Sequence, residues 1–132
     1  MARVVLDSSA ILAVLRSESG SEQVEGVIDD ALVSAVNEAE VISKLIWRGD
    51  SAERAEETVA ALPYEVVPLD RALAVRAGVL WQSTRRQSLS LGDRCCLALA
   101  EREHLAVLTA DTIWREVSIG VEIRLITGRR RK

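Results

Sequence analysis

Val4-Val5-Leu6-Asp7-Ser8-Ser9-Ala10 is an apolar run that ends on a carboxylate and two hydroxyls and then turns into a helical pattern. It reads as a buried first strand that delivers Asp7 to the carboxyl edge of a sheet. In open α/β sheets ligands bind at that edge, so Asp7 is offered to a site and not to the core. Asp and Ser are also good helix N-caps. Ahead of Ala10-Ile11-Leu12-Ala13-Val14-Leu15 they cap a helix well without any chemistry, and the stretch alone leaves both readings open.

Outward from this stretch the chain keeps alternating between strand and helix patterns. Helices are expected over 9–15 and 21–30, a short buried strand over Ala31–Ser34, and an amphipathic helix over Val36–Trp47 with Ala39, Ile42, Leu45 and Ile46 on one face. A helix over 51–62 is stopped by Pro63, and Tyr64–Leu69 is a strand whose Pro68 marks its end. Asp70 caps a long helix that runs to Arg86, residues 87–92 connect it to a helix over Asp93–Glu103, and Leu105–Thr109 is a strand. A short helical segment over Asp111–Glu116 and a last strand over Val121–Ile126 precede a basic tail. This order predicts a three-layer α/β sandwich with a mostly parallel central sheet of about four to five strands and helices on both faces. The 132 residues are expected to form one domain.

Composition narrows the function classes. Aromatics make up 3% and Phe is absent, so the core must be built from Val, Leu, Ile and Ala, which suits helices packed on a parallel sheet. No apolar window approaches the ~20 residues of a membrane span, and none resembles the apolar stretch of a signal peptide, so a cytoplasmic protein is expected. Cys95 and Cys96 are neighbours within a helical pattern, about 100° apart around the axis, and read as reduced core residues. His104, the single histidine, cannot complete a zinc site with them. A net charge of −3 argues against a protein that lives on nucleic-acid phosphates alone.

Two strands end alike, on Leu6-Asp7 and on Leu108-Thr109-Ala110-Asp111, and in a parallel sheet both Asp side chains emerge on one rim. Asp93 begins a helix after a Ser-Leu-Gly turn, and Glu38 and Glu40 lie in the first turns of the helix after the second strand, so all of them face that rim. Each has an ordinary explanation taken singly, as an N-cap or as an acid near a helix N-terminus. Gathered on one rim they repel each other and lose hydration unless a cation neutralises them. An all-oxygen set selects Mg²⁺ or Mn²⁺, and ions so bound activate water and clamp phosphate oxygens.

Four segments closely resemble the blocks of PIN-domain ribonucleases, above all the VapC toxins of bacterial toxin–antitoxin pairs. They are Leu6–Ala10, Ser34–Val41, Leu89–Ala100 and Leu108–Trp114, in order and at the usual spacings. The resemblance places the family's acidic quartet on Asp7, Glu40, Asp93 and Asp111, as metal ligands and catalytic residues, with Ser9 and Thr109 as hydroxyl partners. Helical periodicity puts Glu38 nearer the apolar stripe than Glu40, so geometry alone does not choose Glu40; the match at Ala39-Glu40-Val41 does. The resemblance also implies Mg²⁺ or Mn²⁺ dependence, endonucleolytic cleavage of RNA, a homodimer, and inhibition by a small antitoxin that binds DNA. Apolar residues on helix surfaces, Ile46, Trp47 and Trp81, fit such a homodimer. Arg85, Arg86, Arg94 and the tail Arg129-Arg130-Arg131-Lys132 are candidates for phosphate contacts. Two other classes compete. A haloacid-dehalogenase-like phosphatase would use Asp7 as nucleophile, but Ser9 stands where that class has a second Asp; a non-catalytic binding module would leave the acidic rim inert.

Overall fold

The computed structural model describes residues 3–126. The strands are β1 (Val4–Leu6), β2 (Ala31–Ser34), β3 (Glu65–Val67), β4 (Ala106–Thr109) and β5 (Ile123–Leu125). They form one sheet in the order β3-β2-β1-β4-β5, and every neighbouring pair is parallel. The chain therefore winds outward from β1 in one direction and then crosses to its other side for β4. Such a reversal opens a crevice between the carboxyl ends of β1 and β4, the switch point of a doubly wound sheet.

Among the described residues seven α-helices cover the two faces: α1 (Ser8–Leu15), α2 (Ser21–Glu25), α3 (Ala35–Trp47), α4 (Ala52–Ala60), α5 (Arg71–Val79), α6 (Trp81–Thr84) and α7 (Leu91–Glu103). The two-residue period of the strands sorts the core between them. Val4, Leu6, Ala31, Val33 and Leu108 face α1, Val41 of α3 and Val59 of α4. Val5, Leu32 and Val107 face Leu73 and Ala77 of α5, Trp114, and α7. Six consecutive α7 residues, Cys95–Ala100, are buried, because β1, β2 and β4 lie beneath the helix while α5 and α3 pack against it. Both cysteines are free thiols inside this layer. Among the described residues no helix is long and apolar enough to cross a membrane.

Three expectations need correcting. The helix expected from Asp70 to Arg86 is broken into α5, α6 and a 3₁₀ turn over Arg85–Gln87. The break falls where the Leu80 carbonyl accepts the N–H groups of Ser83 and Thr84 together with the buried Thr84 hydroxyl at 2.8 Å, an arrangement that tightens a helix and ends it. The helix expected over 21–30 stops at Glu25, and a separate 3₁₀ turn covers Ile28–Asp30. On α3 the buried positions are Asn37 and Val41, and Ala39 and Ile46 are exposed. A polar residue at the centre of the buried stripe hid its true direction. The tail Arg129–Lys132 lies outside the described residues.

Leu99 is fully buried between α7 and the sheet. Leu99→Ala is expected to cost about 2–5 kcal/mol in urea unfolding, whereas Val75→Ala on the exposed face of α5 should stay within about 0.5 kcal/mol of the parent.

Candidate active site

Asp7 follows β1 and is the N-cap of α1, so its position is fixed by the first turn of that helix. Its Oδ1 accepts the Ala10 N–H at 2.9 Å and the Ser9 hydroxyl at 2.8 Å. Its Oδ2 accepts the Thr109 hydroxyl at 2.6 Å across the β1–β4 seam. Ser9 and Thr109 are themselves anchored by backbone: Ser9 Oγ accepts the Ala110 N–H at 2.9 Å, and Thr109 Oγ1 accepts the Asp111 N–H at 3.0 Å. Asp7 thus caps a helix and also presents a carboxylate at the switch point. The capping reading of the first stretch holds, and the carboxylate lies at the carboxyl end of β1.

The two glutamates of α3 part company. Glu38 accepts the Tyr64 hydroxyl at 3.0 Å, a contact that draws it toward the segment before β3, and burial together with this carboxylate pushes the Tyr64 hydroxyl pKa up. Glu40 reaches instead to the start of α7. Its Oε1 accepts from Asn37 Nδ2 at 2.9 Å, and the same amide nitrogen donates to the Gly92 carbonyl at 3.1 Å. A β-carbon at Gly92 would stand 2.0 Å from Glu40 Oε2, so only glycine leaves room for that carboxylate. Asn37, 0% exposed, and Gly92 are the residues that sequence reasoning missed. The Gly of the Ser-Leu-Gly turn was visible, but nothing local said which side chain it clears.

Asp93 is the third residue of α7, in a reciprocal capping box. It accepts the Ser90 N–H at 3.0 Å, and Ser90 Oγ accepts its own N–H at 3.1 Å. The helix therefore begins at Leu91, before the expected start. Asp111 is the N-cap of the 3₁₀ turn Thr112–Glu116, accepting the Ile113 N–H at 3.1 Å. Partial burial pushes the Asp93 carboxyl above the ordinary range; the Ser90 bonds oppose this, and the charges of Glu40 and Asp111 add to it. Beneath them lies Cys96, whose thiol is pushed well up, first by burial and then by Asp7, Asp93 and Glu40. Asp7, Glu40, Asp93 and Asp111 therefore share one electrostatic neighbourhood at one end of the sheet.

Among the described residues no ion pair joins a positive side chain to these four acids. The ion pairs among the described residues join Arg3 to Glu65, Arg16 to Glu18, Arg76 to Glu101, Arg102 to Asp70 and Glu103, and Arg124 to Glu122. None of them reaches the four acids. Arg94, a candidate phosphate contact, donates instead to the Ala77 carbonyl at 3.0 Å and ties α7 to α5. Arg85 lies over the Trp81 ring at 5.3 Å, and Arg86 is exposed. Among the described residues no three His, Cys, Asp or Glu side chains already converge to hold a metal ion.

Burial is the largest influence on Asp7 and raises its carboxyl from 3.8 to about 6, against the lowering effect of the Thr109, Ala10 and Ser9 hydrogen bonds. An acid whose folded value lies above its unfolded one binds protons on folding, so stability falls as pH rises between about 4 and 6 and the whole penalty is present at neutral pH. Asp7→Asn keeps the shape while removing the charge, although the bond with Thr109 must reverse. In chelator, a net gain of about 1–2 kcal/mol is expected at pH 7, fading toward pH 4, as read by thermal melts at both values.

The PIN domain family profile matches residues 4–120. No curated protein matches the chain by sequence. The DNA-bound VapBC complex from Salmonella typhimurium is similar at a TM-score of 0.74 and 20% identity, covering 96% of this chain and 99% of that one. VapC20 from Mycobacterium tuberculosis, described as a sarcin-ricin loop cleaving toxin, is similar at 0.73 and 13% identity, covering 90% and 98%. VapBC-1 from nontypeable Haemophilus influenzae gives 0.72 and 14% identity, covering 95% and 98%. At such identities the likeness to these structures is one of fold. The family profile, however, runs from β1 past the turn that carries Asp111, and by that match the chain belongs to the PIN-domain family.

Proposed function

We propose that this chain is a divalent-metal-dependent endoribonuclease acting as one catalytic domain, the toxin of a toxin–antitoxin pair. The observation that carries this reading is a buried Asp7 clamped by Ser9 and Thr109, in charge contact with Asp93, which in turn feels Glu40 and Asp111. Membership of the PIN-domain family and the likeness in fold to VapC and VapBC structures support it.

The donor set suits a hard cation. It is all carboxylate, it lacks a neutralising Lys or Arg ion pair among the described residues, and burial penalises the charge of Asp7 and Asp93, which is the condition a divalent ion relieves. Asp7, Glu40, Asp93 and Asp111 would hold Mg²⁺ or Mn²⁺, which when bound supplies a Lewis acid to the phosphate and lowers the pKa of water for attack on phosphorus. The residues of the chain supply placement. Ser9 and Thr109 fix the rotamer of Asp7, Ser90 fixes that of Asp93, and Asn37 draws Glu40 over Gly92. Both oxygens of Asp7 are engaged as acceptors, which suits a ligand held still and not the free carboxylate that a phosphatase nucleophile requires. The acids must be ionised to bind the ion, so affinity is expected to fall as pH drops through about 6.

By the same likeness the chain takes a small DNA-binding antitoxin as partner and forms a homodimer. The exposed apolar face made by Val75, Val79 and Trp81 on α5 and α6 offers a surface for the second copy.

Purified protein is expected to cleave RNA with Mg²⁺ or Mn²⁺ and to stop on addition of chelator. Asp93→Asn and Glu40→Gln should each lower cleavage by at least about a hundredfold with the fold kept, while Glu38→Gln stays within a few-fold of the parent. Gly92→Ala should also lose activity with little change in melting temperature, because the clash falls on the flexible end of Glu40. An inactive Glu38→Gln beside an active Glu40→Gln would reverse the assignment. A monomeric mass in light scattering would count against the dimer.

A further inference from the structure

A groove of about 680 Å³ runs between α1 and α3. Ser8 and Leu12 of α1 form one side, and Glu40, Ser43, Lys44 and Trp47 of α3 form the other. Glu40, Ser43, Lys44 and Trp47 are spaced by three, one and three residues, so they stand on one stripe of the helix. Trp47 lies two turns beyond Glu40, a rise of about 10 Å. One end of the groove is thus a carboxylate of the acidic site, and the other end is an indole.

Trp47 is 78% exposed, the most open of the large apolar side chains. It packs into neither core cluster. The Lys44 ammonium lies over its ring, 5.6 Å from the centroid, a cation–π contact that holds a positive charge beside the flat aromatic surface. Ser43 and Ser8 line the same groove. An aromatic face, an adjacent cation and hydrogen-bonding hydroxyls are what an unpaired nucleotide uses, for its base, phosphate and ribose respectively. A purely apolar protein segment would leave Lys44 and the edge carboxylate of Glu40 desolvated and unpaired.

We propose that the groove between α1 and α3 is a nucleotide subsite, in which Trp47 stacks the base of an unpaired ribonucleotide flanking the scissile phosphate and Lys44 faces its phosphate. The subsite rests on the ribonuclease reading of the acidic rim and deepens it. Two helical turns along α3 from Glu40, Trp47 helps decide where on a single strand the acids act, without taking part in the chemistry.

The test uses the full-length protein with Mn²⁺ and a short mixed-sequence single-stranded RNA, together with versions that carry one abasic site at successive positions around the cut. Trp47→Ala should raise KM about tenfold or more with kcat within a few-fold, and Trp47→Tyr, which still stacks, should restore most of it. An abasic site at the stacked position should weaken the parent equally and add nothing to Trp47→Ala. An unchanged KM in Trp47→Ala alongside normal cleavage overturns the subsite and leaves the nuclease reading intact. A changed mass in light scattering with an unchanged KM makes the groove a protein interface and also overturns it. If the parent cleaves nothing, binding decides: RNA should quench the indole fluorescence of a Trp81→Phe protein and fail to quench it once Trp47 is also replaced by Ala. Quenching without cleavage keeps the subsite and removes the nuclease; absence of both removes both.

Discussion

The hydrogen bond from the Thr109 hydroxyl to Asp7, 2.6 Å long, joins the ends of two strands that are 102 residues apart in sequence. It exists because β1 and β4 pair in parallel, with Leu6 opposite Leu108, which brings the residue after one strand beside the last residue of the other. Through it the switch point of the sheet becomes a fixed polar object and not merely a gap. Asp7 starts α1, Thr109 supports the Asp111 turn, and Ser9 links them, so the helix, the sheet and the second acid are positioned by one small network. Its cost is a carboxylate buried among other carboxylates, and among the described residues Asp7 is the one acid buried so deeply.

The remainder of the charge distribution is consistent with this. Six arginines of the described chain are engaged elsewhere: Arg3, Arg16, Arg76, Arg102 and Arg124 in surface ion pairs, and Arg94 on a backbone carbonyl. Exposed pairs of this sort add little stability and are weakened by salt. Their arrangement matters more for what it withholds: among the described residues no ion pair reaches the acids of the rim. An overall charge of −3 is therefore compatible with a polyanionic substrate, since the attraction can be supplied locally.

Much of the fold was legible because the strands are short apolar runs and the helices carry caps. Ser34, Ser51, Asp70 and Ser90 each cap a helix through their own side chain. The break after α5 was not legible, because it depends on one carbonyl taking three donors, a tertiary choice that leaves the helical pattern of residues 70–86 unbroken. Periodicity put Glu38 nearer the apolar stripe than Glu40, and it could not show that the stripe of α3 that meets α7 is centred on a polar residue, Asn37, whose amide spans both helices. Gly92 looked like turn punctuation and is a clearance for a carboxylate. The missing signals were all long-range: each residue's role is defined by a neighbour from another element.

Cys96 has a chemical consequence of its own. Its thiol is enclosed by the core and overlain by three acids, so ionising it would place a fourth negative charge beneath theirs. Thiols react with alkylating agents and oxidants as thiolates, so this one is doubly protected while the acidic rim and α7 stay closed. Modification at Cys96 can proceed only when that layer opens, and its rate therefore measures how often the floor of the site comes apart from the sheet. A cation that binds the acids will slow this opening and hence the labelling, so a single buried sulfur gives a chemical clock for the rigidity of the site above it.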